Sequence, residues 1–179
     1  MRLELVPEEL SRNERPVAYE MVNALLVSTI ELQRAFAMRP LECQIFLVIA
    51  MATVQRFIRE TAPVQAFRNA TPLPPEQRGA ISRRRIAETL DLPLETVRRY
   101  VAHLLERGEI VEVGRGQLST KGGTLARASE AGCITDMARR TLALANRMLL
   151  LEVARGAPPP EAVDQQQAGR GGRAREGRP

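Results

Sequence analysis

Apolar residues recur at helical spacing along most of this chain. Over residues 17–38, Val22, Leu25, Leu26, Leu32 and Phe36 fall on one face and predict a helix, which Arg39-Pro40 ends while starting the next. Residues 41–59, LECQIFLVIAMATVQRFIR, are apolar almost all round from Ile45 to Ala52. That pattern belongs to a central, buried helix. Residues 60–80 carry Pro63, Pro72, Pro74, Pro75 and Gly79, and read as a loop of unusual length for a compact domain. A further stripe of Ile134, Met137, Thr141, Leu144, Ala145, Met148 and Leu151 predicts a long helix from about Thr124 to Ala154, with a break near Gly132. Its apolar face is too wide to leave in water on a monomer, so it packs on the N-terminal helix, on a second subunit, or on both.

Between these helices the periodicity shortens. Ser82 is placed to cap a helix whose apolar face is Ile86, Ala87 and Leu90. Asp91-Leu92-Pro93 interrupts it, because proline bars its predecessor from the α region. A second helix, 93–107, follows with Val97, Val101, Leu104 and Leu105 on one stripe, and Gly108 stops it. Ile110, Val111 and Val113 then form a β-rich run, Gly114-Arg115-Gly116 a turn, and Gln117 to Thr120 a return strand. Helix, tight turn, helix and hairpin in this order describe a winged helix-turn-helix. The expected fold is mainly α: a winged helix-turn-helix with a small β-hairpin wing, flanked by long N- and C-terminal helices. The chain then divides into an N-terminal arm (1–16), a helical dimerisation or core segment (17–59), a Pro-rich loop (60–80), the winged helix-turn-helix (81–121), a C-terminal long helix (122–155) and a tail (156–179). The Pro run, Gln165 to Gln167 and RGGRAREGRP give that tail a disordered composition.

The residues left outside the apolar stripes carry the chemistry. Glu95, Thr96, Arg98 and Arg99 fall on the outward side of helix 93–107. An Arg fork bonds guanine O6 and N7 together, and Thr reaches a base edge or a phosphate. Glu95 would repel phosphate, so it faces a cytosine edge, pairs with an Arg, or sets register. Arg83, Arg84 and Arg85 open the preceding helix, where side chains and backbone N–H groups meet phosphate. Arg115 stands at the hairpin tip, placed for the minor groove or the backbone.

Composition narrows the partner. The formal net charge is +5 over 179 residues, which favours a polyanion. Lys121 is the only lysine, so arginine is the default cation everywhere and no single Arg carries the argument. Aromatics make up 3% and Trp is absent, which disfavours a base-stacking single-strand or RNA platform. The start MRLELVPEELSRNE lacks the basic and apolar run of an export signal, and the apolar run Ile45 to Val54 is too short to cross a bilayer. Cys43 and Cys133 imply no disulfide framework. The expectation is a cytoplasmic protein, nucleoid-associated when bound to DNA, without membrane attachment.

The chain resembles the MarR-type transcriptional regulators over roughly residues 17–155. PLECQIFLVIA, residues 40–50, looks like the helix that precedes the helix-turn-helix in that family. IAETLDLPLETVRRYVAHLLERGEI is similar to its recognition unit, and LSTKG to the turn leading from the wing into the long helix. The resemblance implies homodimers built from N- and C-terminal helices, binding to a double-stranded operator, and in many members release by a small-molecule effector or an oxidant. It places Thr96, Arg98 and Arg99 at base-facing or groove-facing positions and Arg115 at the wing tip. The loop at 60–80 is long for the family and the wing short. A protein-docking winged helix, or a plasmid- or phage-type replication or partition factor, would use the same module.

Enzyme signatures are missing from the sequence, and no cofactor is expected. GRGQLSTKGG lacks the Walker order, Gly114-x-Gly116 lacks a third glycine, and one histidine (His103, read as solvated) with two distant cysteines makes no zinc set. Cys43 is the candidate redox residue: it lies in the first turn of the helix after Pro40, where the helix dipole lowers a thiol pKa, although Glu42 beside it opposes the thiolate.

Overall fold

The computed structural model describes residues 2–59 and 69–157. The loop reading of 60–68 and the tail reading of 158–179 lie outside the described residues. The protein is mainly helical with a small antiparallel sheet component. Its elements are β1 (Arg2–Leu5), α1 (Pro7–Arg12), α2 (Glu14–Ala35), α3 (Pro40–Arg59), β2 (Ile81–Ser82), α4 (Arg83–Leu90), α5 (Leu94–Glu106), β3 (Ile110–Glu112), β4 (Gln117–Thr120), α6 (Thr124–Glu130), α7 (Cys133–Leu150) and β5 (Ala154–Ala157). The described residues form two compact units, one of residues 2–22 with 142–157 and one of residues 23–59 with 69–141.

The larger unit is organised around α3. Ile45, Phe46 and Ile49 point from it into a core shared with Phe36, Ile86, Val97, Val101, Leu104, Ile110 and Leu118, while Phe57 is buried outside that cluster. The Phe36 and Phe46 rings pack with centroids 5.0 Å apart. The expected burial of α3 holds on one side only: Met51 and Ile58 on its other side are each 67% exposed. Beside α3 lies a three-stranded sheet in the order β2-β4-β3, with Ile81 opposite Leu118 and Ile110 opposite Thr120. The sequence pattern gave β3 and β4 but not β2, a two-residue strand immediately before the Ser82 cap. Thr53 of α3 anchors the central strand: its hydroxyl accepts from the Thr120 N–H at 3.0 Å and lies 3.2 Å from the Ser119 hydroxyl.

Gly79 is a point of close approach. Its N–H donates to the Thr53 carbonyl at 2.8 Å, and a Cβ there would fall 2.2 Å from the Ala52 carbonyl oxygen. Backbone cannot swing aside as a side-chain tip can, so Gly79→Ala must push α3 and the 75–80 segment apart. We expect a loss of about 1–3 kcal/mol, read as a fall in Tm of roughly 2–4 °C per kcal/mol. An unchanged melting curve would show that the segment does not hold this position.

In the smaller unit, β1 and β5 pair antiparallel, Arg2 opposite Ala157 and Leu5 opposite Ala154. Val6 N–H donates to the Val153 carbonyl at 2.9 Å. This corrects three boundaries. Residues 1–16 are not a plain arm but hold β1, α1 and the start of α2. The long helix at 122–155 has its expected break at Gly132, whose φ of +77° ends α6, but its second part stops at Leu150 rather than near Ala154. Gly156 and Ala157, placed in the tail by composition, belong to β5.

Candidate functional site

Two helices and a hairpin position the charged side chains. Ser82 caps α4 by accepting from the Arg85 N–H at 3.2 Å. Asp91, at φ +51°, turns the chain out of α4, and Leu92 N–H closes back on the Ala87 carbonyl at 3.0 Å. The stop therefore lies at a left-handed Asp91, while Pro93 caps α5 from outside rather than forming its first turn. Val97, Val101 and Leu104 are fully buried, so rotation of α5 about its axis is fixed. The opposite side presents Glu95, Arg98, Arg99 and Ala102 to solvent, with Thr96 half-buried.

The cations differ in how they are held. Arg98 bonds Glu95 one turn earlier at 3.2 Å. The Arg99 guanidinium lies 5.4 Å from the centre of the Tyr100 ring. Arg84 and Arg85 both bond Glu88, at 3.0 and 3.3 Å, and these bonds hold its carboxyl below the usual range. Such exposed pairs are worth little and yield readily to a phosphate. Arg85 also borders a groove against α3. Arg83 departs from the expectation of an outward phosphate ligand. It is half-buried, bonds Glu112 at 3.0 Å and reaches the Gly116 carbonyl at 3.5 Å, tying α4 to the hairpin. Arg115 stands exposed at the tip with φ +47°, between Gly114 and Gly116, which also have positive φ.

Sequence reasoning missed the cluster that fixes the far end of α5. Glu42, in the first turn of α3, is 2% exposed. Its carboxylate meets Arg107 at 3.1 Å and His103 Nδ1 at 2.9 Å. Arg107 also donates to the Phe36 and Ala37 carbonyls at 2.7 and 3.1 Å, closing the C-terminal end of α2. Glu109 lies 3.8 Å from the same guanidinium and is ion-paired to Arg127 of α6. His103, read as solvated, is thus half committed to Glu42. The partners lie 61 and 65 residues apart, and no local pattern links them.

Cys43 does not have the setting a reactive thiol needs. It is fully buried, and burial, with the Glu42 charge next, pushes its thiol pKa up rather than down. Cys133 is buried too. No group of three His, Cys, Asp or Glu side chains able to hold a metal occurs among the described residues. A largely apolar pocket of about 330 Å³ lies between the end of α3 (Phe57, Ile58), residues 69–73, Arg78 and the β4–α6 turn. Among the described residues, no single helix is long and apolar enough to cross a membrane.

Comparison of the chain with protein-family models, with curated proteins and with solved structures gave no match.

Proposed function

We propose that residues 81–121 are a winged helix-turn-helix and that the protein is a non-enzymatic, sequence-specific regulator of transcription that reads double-stranded DNA with α5. The observation that carries this reading is the exposed Arg98–Arg99 pair on a helix whose other side is locked into the core. A reader needs that combination: side chains free to reach base edges and a backbone that cannot roll. In this reading Arg98 and Arg99 bond guanine edges, Thr96 touches a base edge or phosphate, and Glu95 orients Arg98. Arg84 and Arg85 exchange Glu88 for phosphate, Arg115 reaches the backbone or minor groove, and Arg83 holds the hairpin against α4. Kinship with the MarR-type regulators is part of the proposal, resting on the motifs quoted above, and the 330 Å³ pocket is where a small-molecule effector would fit. Titrating the full-length protein against duplex DNA at several salt concentrations tests the reading. Affinity should fall steeply with salt, with a log–log slope near 0.9 per phosphate contacted. Absence of binding at low salt would shift the function to docking a protein partner.

The protein acts, in the same proposal, as a homodimer. Val22, Leu25 and Leu26 on α2 are 57–67% exposed, and Leu142 and Leu150 on α7 are 64% and 76% exposed. The smaller unit buries only Val17, Val153 and Ala154 among its described apolar side chains, too little to stand alone. A second copy supplies the missing cover, and a two-fold dimer sets two α5 helices on half-sites about one DNA turn apart. Leu25→Glu with Leu26→Glu should turn a dimer into a monomer in sedimentation equilibrium. A wild-type monomer at micromolar concentration would remove this part of the reading.

A further inference from the structure

The outer side of α3 is apolar without being covered. Leu47, Val48, Met51, Val54 and Ile58 follow one another at i, i+1, i+4, i+7 and i+11, a stripe along one helix face, yet Met51 and Ile58 are two-thirds exposed. Opposite them stand Ala80 and Ile81, and the two walls enclose an open groove of about 680 Å³. From Leu47 to Ile58 the helix rises about 16 Å, the length of three helical turns. Leu47 and Val48 are partly buried against the core and Val54 is half-buried, so the exposed part of the strip is Met51 and Ile58; apolar surface left open along a groove marks a docking site.

The rim tells which partner fits. Its charged members are Arg59 and Arg85, its neutral polar members Gln55 and Thr89, and no carboxylate lines the groove among the described residues. Glu88 stands nearby as the partner of Arg85, in a pair exposed on both sides and therefore easily exchanged. An apolar floor with a cationic rim is complementary to a helix with an apolar face and carboxylates beside it. α5 contributes nothing to the groove, so an occupant there leaves the Arg98–Arg99 face open, although it draws on Arg85, which the DNA reading assigns to phosphate.

We infer that the α3–α4 groove docks an acidic amphipathic helix of a partner protein, through Met51 and Ile58 at its floor and Arg59 and Arg85 at its rim. This holds whether or not α5 reads DNA. The test uses the full-length protein and a fluorescein-labelled helical peptide of about 15 residues, with leucines along one face and glutamates on both flanks. Its counterpart carries lysines in place of the glutamates. By fluorescence anisotropy the acidic peptide should bind at least about tenfold tighter than the basic one, with an advantage that shrinks as salt rises. Met51→Glu with Ile58→Glu should abolish binding while leaving the melting curve in place, since both side chains are mostly in solvent. Arg59→Glu, which removes no packing, should narrow the preference by itself. Equal binding of the two peptides, no binding of either, or binding unchanged by these substitutions would overturn the inference. So would a change of sedimentation mass in Met51→Glu with Ile58→Glu, which would make the groove an interface between copies of this chain.

Discussion

Arg98→Ala with Arg99→Ala is expected to abolish sequence-specific DNA binding while leaving the fold untouched. Both side chains are exposed and neither contributes to the core. The pair to Glu95 and the contact with Tyr100 are surface interactions of small worth. Stability should therefore change by a few tenths of a kcal/mol at most. At the DNA the same guanidiniums would each make a two-pronged bond worth about 1–3 kcal/mol of discrimination. Losing both should weaken the preferred site by roughly 30-fold to about 20,000-fold, whereas bulk duplex loses far less. A salt titration separates the roles: an Arg on phosphate flattens the log–log slope by about 0.9, and an Arg on a base edge leaves the slope but relaxes the preference. Any truncation made to exclude the tail should end after Ala157, because a cut at Gly156 falls inside β5. Unaltered specificity in the double variant would take α5 out of the reading.

Arg107→Ala is expected to cause the largest loss of stability. Its guanidinium is the principal cation beside the buried Glu42 carboxylate and also satisfies two carbonyls at the end of α2. Removing one member of a buried pair leaves the other charge in a medium that solvates it poorly, at a cost of about 3–5 kcal/mol. His103 and the Arg39 N–H at 3.3 Å still reach Glu42, so the lower end of that range applies, a Tm fall of roughly 6–12 °C. His103→Ala should cost less, because that ring is 54% exposed and Arg107 remains. Arg107→Leu with Glu42→Leu should recover much of the loss, since it removes the orphaned charge rather than creating one. A melting curve of Arg107→Ala within 1–2 °C of wild type, as a surface substitution would give, would show that the cluster does not hold α5 against α3.

Much of the α4–α5 region could be read in the sequence because its signals are local. The Ser82 cap, the stripe of Val97, Val101 and Leu104, and the glycines around Arg115 act within a few residues, and each appears where the pattern put it. Elements whose existence depends on a distant partner could not be read that way. β5, with the sequence ARGA, has no strand signature of its own and is extended only because β1 pairs with it. β2 is a two-residue extension that exists through Leu118 and Gln117. Arg83 shows the same limit at the level of a side chain. Triplet Arg83–Arg85 looks uniform in sequence, yet Glu112 and the Gly116 carbonyl turn its first member inward.

By itself the sequence determined the helical character, the order of helix, turn, helix and hairpin, and which face of α5 is left for chemistry. Helix periodicity, capping and turn formation are decided over one or two turns of chain, so residue order contains them. The tertiary structure alone decided that Glu42, His103 and Arg107 meet. It also decided that Cys43 is sealed off, and that the apolar helix α3 keeps one side uncovered. Burial, ion pairing and the pKa of a thiol depend on what lies across space, and segments sixty residues apart meet there only once the chain has folded.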